Sequence, residues 1–291
     1  MSEVFIGSEA IAAGRLTRHE LSRWYRPVFR GVYLPTSAVP MLRDRTTAAW
    51  LATDRRGVIA GVAASALHGA SWVDDDHPIE VIDTHRRPQR GLTIRNESLA
   101  DDEVTRVAGL PVTTRARTAF DLGRHLPRDS AIGRLDALKR ASAYDDRRVE
   151  ELLRRYSGLR GTRQLRELLP LVDKDAASPP ESRVRLLLID AGLPAPQTQI
   201  LVVHRSRLVA MLDMGWEALK IAVEYDGDHH RTDRRQYARD VRRYAELERR
   251  GWIVIRVLAG DKPADILRRV VDAFRRRDIH LSLRATRTFA A

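Results

Sequence analysis

The residues best suited to chemistry fall in one stretch of this 291-residue chain. Asp213 closes the apolar run Val209-Ala210-Met211-Leu212. Glu224 sits inside a second run, Ile221-Ala222-Val223-Glu224-Tyr225-Asp226-Gly227, which leads to His229 and His230. Two acids delivered by adjacent strands can hold a hard divalent cation, Mg2+ or Mn2+, through oxygen donors. An imidazole beside them manages protons. Together they predict metal-assisted phosphodiester hydrolysis, with the cation activating water and offsetting charge on the phosphate. Strand alternation puts Lys220, Ala222, Glu224 and Asp226 on one face and Ile221, Val223 and Tyr225 on the other. An acid within an apolar strand costs roughly several kcal/mol unless it is paired or metal-bound. Glu224 and Asp213 are therefore the candidate ligands, whereas Asp226 and Asp228 flank Gly227 and read as turn formers.

The elements that must position these residues follow from pattern. A linker over 173–180 ends in Pro179-Pro180, and a helix opens at Pro180 or Glu181 and runs to Ile189 before Ala191-Gly192. Strands are expected over 200–203, 208–215 and 219–225, the last nearly all apolar, as in a central strand covered on both faces. A helix over 234–250 stops at Gly251, a strand covers 252–257 and a helix covers 264–276. This is a compact α/β unit. The 234–250 helix carries an apolar stripe at Tyr237, Val241, Tyr244 and Leu247. Its other faces hold Arg234, Arg235, Arg239, Arg242, Arg243, Arg249 and Arg250. Such a surface is solvated, with Asp240 and Glu246 pairing locally, or a phosphate-contacting rim. Arg234, Arg235 and Arg243 are the nucleic-acid candidates, with Arg243 on the site side.

Composition agrees with a polyanionic partner. Net charge is +12, the sequence pI is about 10.7, and 51 basic residues include only four lysines. A GC-rich genome accounts for arginine over lysine but not for base over acid. Phosphate contacts supply most non-specific nucleic-acid affinity, so DNA is preferred over an anionic membrane. Cysteine is absent, which removes disulfides and thiolate zinc sites. With no signal-peptide pattern and no membrane-length apolar run, a cytoplasmic protein is expected.

Residues 1–40 read as helix, turn, helix and hairpin. A short helix ends at Gly14, a second opens with the capping box Thr17/Glu20, and strand character surrounds Gly31. This is winged-helix order, in which the second helix enters a major groove, and Arg18, Arg23 and Arg26 are its candidate DNA contacts. Residues 41–172 read as a mixed α/β and helical region, with helices over 43–53 and 59–69 and strands over 79–82 and 92–95. His68 reads as a packed structural histidine.

The N-terminal half resembles the antitoxins of AbiE-type toxin–antitoxin systems. The resemblance rests on the winged-helix-like start, Val58–Trp72 and the segment from Gly109 to Leu122. It implies DNA binding, autoregulation and a cognate toxin. Residues 178–277 resemble the PD-(D/E)XK nuclease superfamily, through very-short-patch-repair endonuclease-like domains. The matching residues are Pro180-Glu181-Ser182, Asp213, Glu224-Tyr225-Asp226-Gly227, His229-His230, Asp240, Arg243 and Gly251–Arg256. The resemblance implies a restriction-endonuclease-like α/β domain with Asp213 and Glu224 as metal ligands, the Tyr225 carbonyl as a third, and Glu181 acting from its helix. Asp226 replaces the lysine usual in the last motif position, and His229 or His230 is the natural substitute. Residues 278–291 form a tail. The expectation is a mixed α/β, metal-dependent DNA endonuclease fused to an antitoxin-like half; the alternative is a non-catalytic DNA-binding regulator.

Overall fold

The computed structural model describes residues 4–227, 234–281 and 283. It is mixed α/β, with two compact units: Met1–Leu126 with Leu138–Pro170, and Pro127–Ala137 with Leu171–Ala291.

The first unit opens with β1 (Phe5–Ile6), α1 (Gly7–Ala12), α2 (Arg18–Trp24), β2 (Tyr25–Phe29) and β3 (Val32–Pro35). The three strands pair antiparallel in the order β1-β3-β2. The capping box expected at Thr17 starts α2: the Glu20 carboxylate accepts the Thr17 N–H at 2.8 Å, and the Thr17 hydroxyl accepts the Glu20 N–H at 3.2 Å. Next come α3 (Leu42–Ala52), β4 (Val58–Ala60), α4 (Gly61–Leu67), β5 (Ile79–Ile82), β6 (Leu92–Arg95), β7 (Val104–Val107), β8 (Leu110–Thr113) and α5 (Arg115–His125). These strands form a five-stranded sheet, β6-β5-β4-β8-β7. Phe29 and Val32 pack into the same core as Ala48, Ile59, Ile79 and Val112, so the N-terminal hairpin and this sheet share one apolar interior.

Residues 59–60, expected to be helical, are strand. β4 pairs with β5 and β8 at the sheet centre, and this pairing overrides the helix propensity of an alanine-rich run. The helix waits until Gly61, whose φ of +58 turns the chain. The remaining helices are α6 (Arg128–Ala141), α7 (Asp146–Arg155) and α8 (Thr162–Leu168).

The second unit contains α9 (Pro179–Asp190), β9 (Gln197–His204), β10 (Arg207–Trp216), β11 (Ile221–Asp226), α10 (Arg234–Arg249), β12 (Ile253–Leu258) and α11 (Pro263–Arg275). Its sheet order is β12-β11-β10-β9, with β11 and β12 parallel and the other pairs antiparallel. A parallel pair needs a crossover, and α10 supplies it. Ser178 caps α9 with Pro179 in its first turn, and Gly251, at φ +81, lets the chain leave α10. β11 is fully covered at Ile221, Ala222 and Val223.

Gly215 allows β10 to approach β11. A Cβ there would meet the Ile221 carbonyl oxygen at 2.2 Å and the Ala222 Cα at 2.9 Å, both backbone atoms with little room to move. Gly215→Ala is expected to destabilise this unit by about 1–3 kcal/mol through strand separation, measured as a lower urea midpoint with an unchanged m value. Wild-type stability in this variant would contradict the close approach.

Candidate active site

β10 and β11 bring the two predicted acids to one end of the sheet. Met214 pairs with Val223, and one step further out the Tyr225 N–H donates to Asp213 Oδ2 at 2.8 Å. Both acids line a cleft of about 1390 Å³, whose wall also includes Tyr225, Asp226, Arg239, Arg242, Arg243, Tyr244 and Arg256. Burial is the main force pushing the Asp213 carboxyl up to about 7, and the charges of Glu181 and Glu224 add to it against the Tyr225 hydrogen bond. Glu181 is thus electrostatically coupled to the pair from α9. Its own carboxylate accepts from the Ser178 hydroxyl at 2.8 Å and the Ala177 N–H at 3.1 Å, which makes it the reciprocal half of the α9 cap.

Glu224 is 5% exposed, and α10 answers its charge. Arg243 forks onto it, Nη1 to Oε1 at 2.7 Å and Nη2 to Oε2 at 3.1 Å, and the Tyr244 hydroxyl donates to Oε2 at 2.7 Å. Burial and the Glu224 charge drive the Tyr244 phenol well above its usual range, so it remains a donor. Arg243 and Arg256 also lie over the Tyr244 ring, at 4.5 and 5.0 Å from its centroid. The sequence pattern puts Arg243 on the site side of α10, and the structure brings it onto Glu224. Of the predicted α10 stripe, Leu247 is buried but Val241 is 49% exposed.

Two details of the strand differ from expectation. Residues 217–219 form a 3₁₀ turn and Lys220 is left-handed at φ +49. Lys220 therefore precedes β11 instead of sharing the Glu224 face, and its Nζ donates to the Arg250 carbonyl at 2.9 Å. Asp226 closes β11 and is ion-paired with Arg256 across the parallel ladder. His229 and His230 lie outside the described residues, as do the side chains of Arg234 and Arg235 at the start of α10.

The donor set suits a hard divalent cation. It consists of carboxylates and a strand-end carbonyl, the oxygen chemistry Mg2+ takes. Among the described residues Asp213 Oδ1 accepts no hydrogen bond, and Glu224 Oε1 accepts one, leaving a lone pair. Burial raises the Asp213 carboxyl most, the Glu181 and Glu224 charges add to it, and a bound cation would offset both.

A second charged cluster, in the first unit, has no counterpart among the sequence-based candidates. The ligand atoms of Glu97, Asp121 and His125 lie within 4.8 Å of one another. Guanidiniums already serve them: Arg95 lies 2.6 Å from Asp121, and Arg117 and Arg124 each lie 2.7 Å from Glu97. Positive charge thus fills the place a cation would take, and the cluster is a buried ion network. Its local signals in the sequence are the i,i+4 spacing of Arg117 and Asp121 and the i,i+3 spacing of Asp121 and Arg124. His68 is structural, as expected, its Nε2 at 2.8 Å from the Thr113 carbonyl and its pKa lowered by burial.

The N-terminal candidates Arg18, Arg23 and Arg26 are exposed on α2 and β2. The Arg23 guanidinium lies over the exposed Trp24 ring, and Arg26 donates to the Ala38 carbonyl at 2.8 Å.

Residues 38–171 match the AbiEi antitoxin C-terminal domain, so the antitoxin-type resemblance holds for that part of the chain. Two uncharacterized proteins of Mycobacterium tuberculosis, Rv2248 of strain H37Rv and MT2308 of strain CDC 1551, are each 30% identical over 236 residues. The alignment covers 80% of this chain and 85% of each relative. The chain belongs to the family of these mycobacterial proteins. No solved structure matches it. Among the described residues, no helix is long and apolar enough to cross a membrane.

Proposed function

We propose that this chain is a DNA-binding protein of toxin–antitoxin type whose C-terminal unit hydrolyses DNA phosphodiesters with Mg2+ or Mn2+. The observation that carries the catalytic reading is that Asp213 and Glu224 line one arginine-walled cleft, with burial foremost and the Glu181 charge adding to it in pushing Asp213 up to about 7. The antitoxin-domain match supports the DNA-binding role and a cognate toxin as partner. The β1-α1-α2-β2-β3 order supports a winged-helix reading of residues 1–40, with Arg18, Arg23 and Arg26 meeting phosphates. In functional terms, 41–172 is then the antitoxin-like region, 178–277 the PD-(D/E)XK nuclease-like domain and 278–291 a tail.

In this reading Asp213 and Glu224 hold the cation, with the Tyr225 carbonyl as a third donor. When bound, the cation supplies Lewis acidity and a water of lowered pKa. Arg243 and Tyr244 hold Glu224 fixed in orientation. Glu181 adds negative charge from α9, and the cleft arginines, together with the sequence candidates Arg234 and Arg235, contact phosphates. His229 or His230 transfers a proton in place of the absent motif lysine.

A second reading, a regulator that binds DNA without cleaving it, is favoured by two observations. Arg243 and Tyr244 both donate to Glu224 Oε2, and an aspartate, Asp226, occupies the usual lysine position. Plasmid nicking with Mg2+ or Mn2+ separates the two. Metal-dependent nicking by wild type that falls by about 100-fold or more in Glu224→Ala supports the nuclease. Equal cleavage by both proteins sinks that assignment, and tight DNA binding without cleavage supports the regulator.

A further inference from the structure

The N-terminal hairpin does not end in open solvent. Its tip, Arg30-Gly31, meets the loop of residues 84–90 that joins β5 to β6. The Arg30 N–H donates to Gln89 Oε1 at 2.8 Å. A Cβ on Gly91, just after the loop, would lie 3.8 Å from the Phe29 ring. The loop reads Thr84-His85-Arg86-Arg87-Pro88-Gln89-Arg90, and Arg86, Arg87 and Arg90 are exposed. Arg30, His85, Arg86 and Arg87 wall one concavity of about 610 Å³. One carboxylate, Asp54, faces it and is already paired with Arg86 and Arg56. Among the described residues, Arg30, Arg87 and Arg90 have no acidic partner.

Exposed arginines that outnumber the acids beside them form a phosphate-binding surface. Like charges gathered this way repel one another, which a bound polyanion relieves. We propose that the β5–β6 loop is a second DNA-backbone contact, continuing the hairpin tip at Arg30 onto the antitoxin-like sheet. The inference rests on the reading that the chain binds DNA. The concavity has no aromatic wall beyond the His85 ring, so it offers little for stacking on unpaired bases and suits the backbone of a duplex. It would add affinity and fix orientation without reading sequence. Pro88 limits the loop's conformations and Gln89 ties it to the hairpin, so less ordering is needed on binding.

Fluorescence anisotropy of the full chain with labelled duplexes, titrated across salt concentrations, tests this. The Arg87→Ala/Arg90→Ala variant should weaken binding equally for unrelated sequences and reduce the log–log salt slope by about 0.9 for each phosphate no longer neutralised. Arg163→Ala, an exposed arginine on α8, is the control for removal of charge alone and should leave the slope unchanged. A loop variant with the wild-type slope, while Arg18→Ala/Arg23→Ala abolishes binding, overturns the role of the loop and leaves the N-terminal one standing. A larger effect on single-stranded DNA or RNA than on duplex overturns the choice of partner. Absence of duplex binding by wild type overturns both this proposal and the DNA-binding reading beneath it.

Discussion

Arg117→Ala is expected to destabilise the first unit by about 3–5 kcal/mol, because it removes one partner from a buried ion network and strands the others. Arg117 is 1% exposed, and each nitrogen serves a different acid. Nη1 pairs with Glu103, Nη2 lies 2.7 Å from Glu97, and Nε donates to Asp121 at 3.1 Å. Glu103 and Asp121 are themselves 1% and 0% exposed, so water cannot replace the missing guanidinium. Arg117→Lys should recover only part of the stability, since one ammonium cannot reproduce a three-way planar fork.

The pH dependence identifies the cause. Burial already pushes Asp121 up in the wild type, and losing Arg117 pushes it further. An acid with a raised folded pKa favours the folded state at low pH and loses that contribution as pH rises through the folded value. The deficit of Arg117→Ala should therefore shrink on acidification, with about pH 7 and about pH 5 as the two points of comparison. Glu97 behaves oppositely. Burial would lift it, but the His125 hydrogen bond and the charges of Arg95, Arg124 and His125 hold it down to about 2. Its stabilisation stays complete above about 4.5 and is lost only as pH falls towards 2, below the window compared. Urea melts at the two pH values check this, and a deficit that grew on acidification would contradict the network.

That network is illegible in the sequence for a physical reason. Arg117 meets Glu103 and Glu97 from 14 and 20 positions away, distances at which no helix or strand period applies. The C-terminal unit is far more legible. Its α9, β9, β10, α10, β12 and α11 follow apolar periodicity, glycine stops and proline starts, all local signals. Alternation is enough to place Asp213 and Glu224 at one sheet end, because a strand has only two faces. It fails at Lys220, where the left-handed residue shifts the start of β11 and turns the lysine towards α10 instead of the cleft. It fails again at Ile59-Ala60, where small residues fit either helix or strand and the sheet decides. The Arg243 fork is half visible: helix position indicates the side, but the bidentate geometry depends on how α10 lies against β11.

The two acids of the cleft have opposite energetic positions, and this gives the second large prediction. Glu224 has a guanidinium and a phenol as partners, whereas Asp213 has one backbone N–H and two acidic neighbours. With Asp213 raised to about 7 from 3.8, its charged form opposes folding at and above that pH. The sign follows from linkage: the folded state holds its proton more tightly than the unfolded chain, so stability falls as pH rises from about 4 to 7. Asp213→Asn keeps an oxygen to accept the Tyr225 N–H and removes the charge. It should stabilise the metal-free protein near pH 8 by about 2–4 kcal/mol, with the gain vanishing near pH 4. The same substitution removes a candidate metal ligand, so stabilisation by added Mn2+, seen as a higher thermal midpoint in wild type, should disappear. Gaining stability while losing the metal response is what a site strained for function produces. A variant less stable than wild type near pH 8, or still stabilised by Mn2+, would show that Asp213 is a structural acid and remove it from the proposed site.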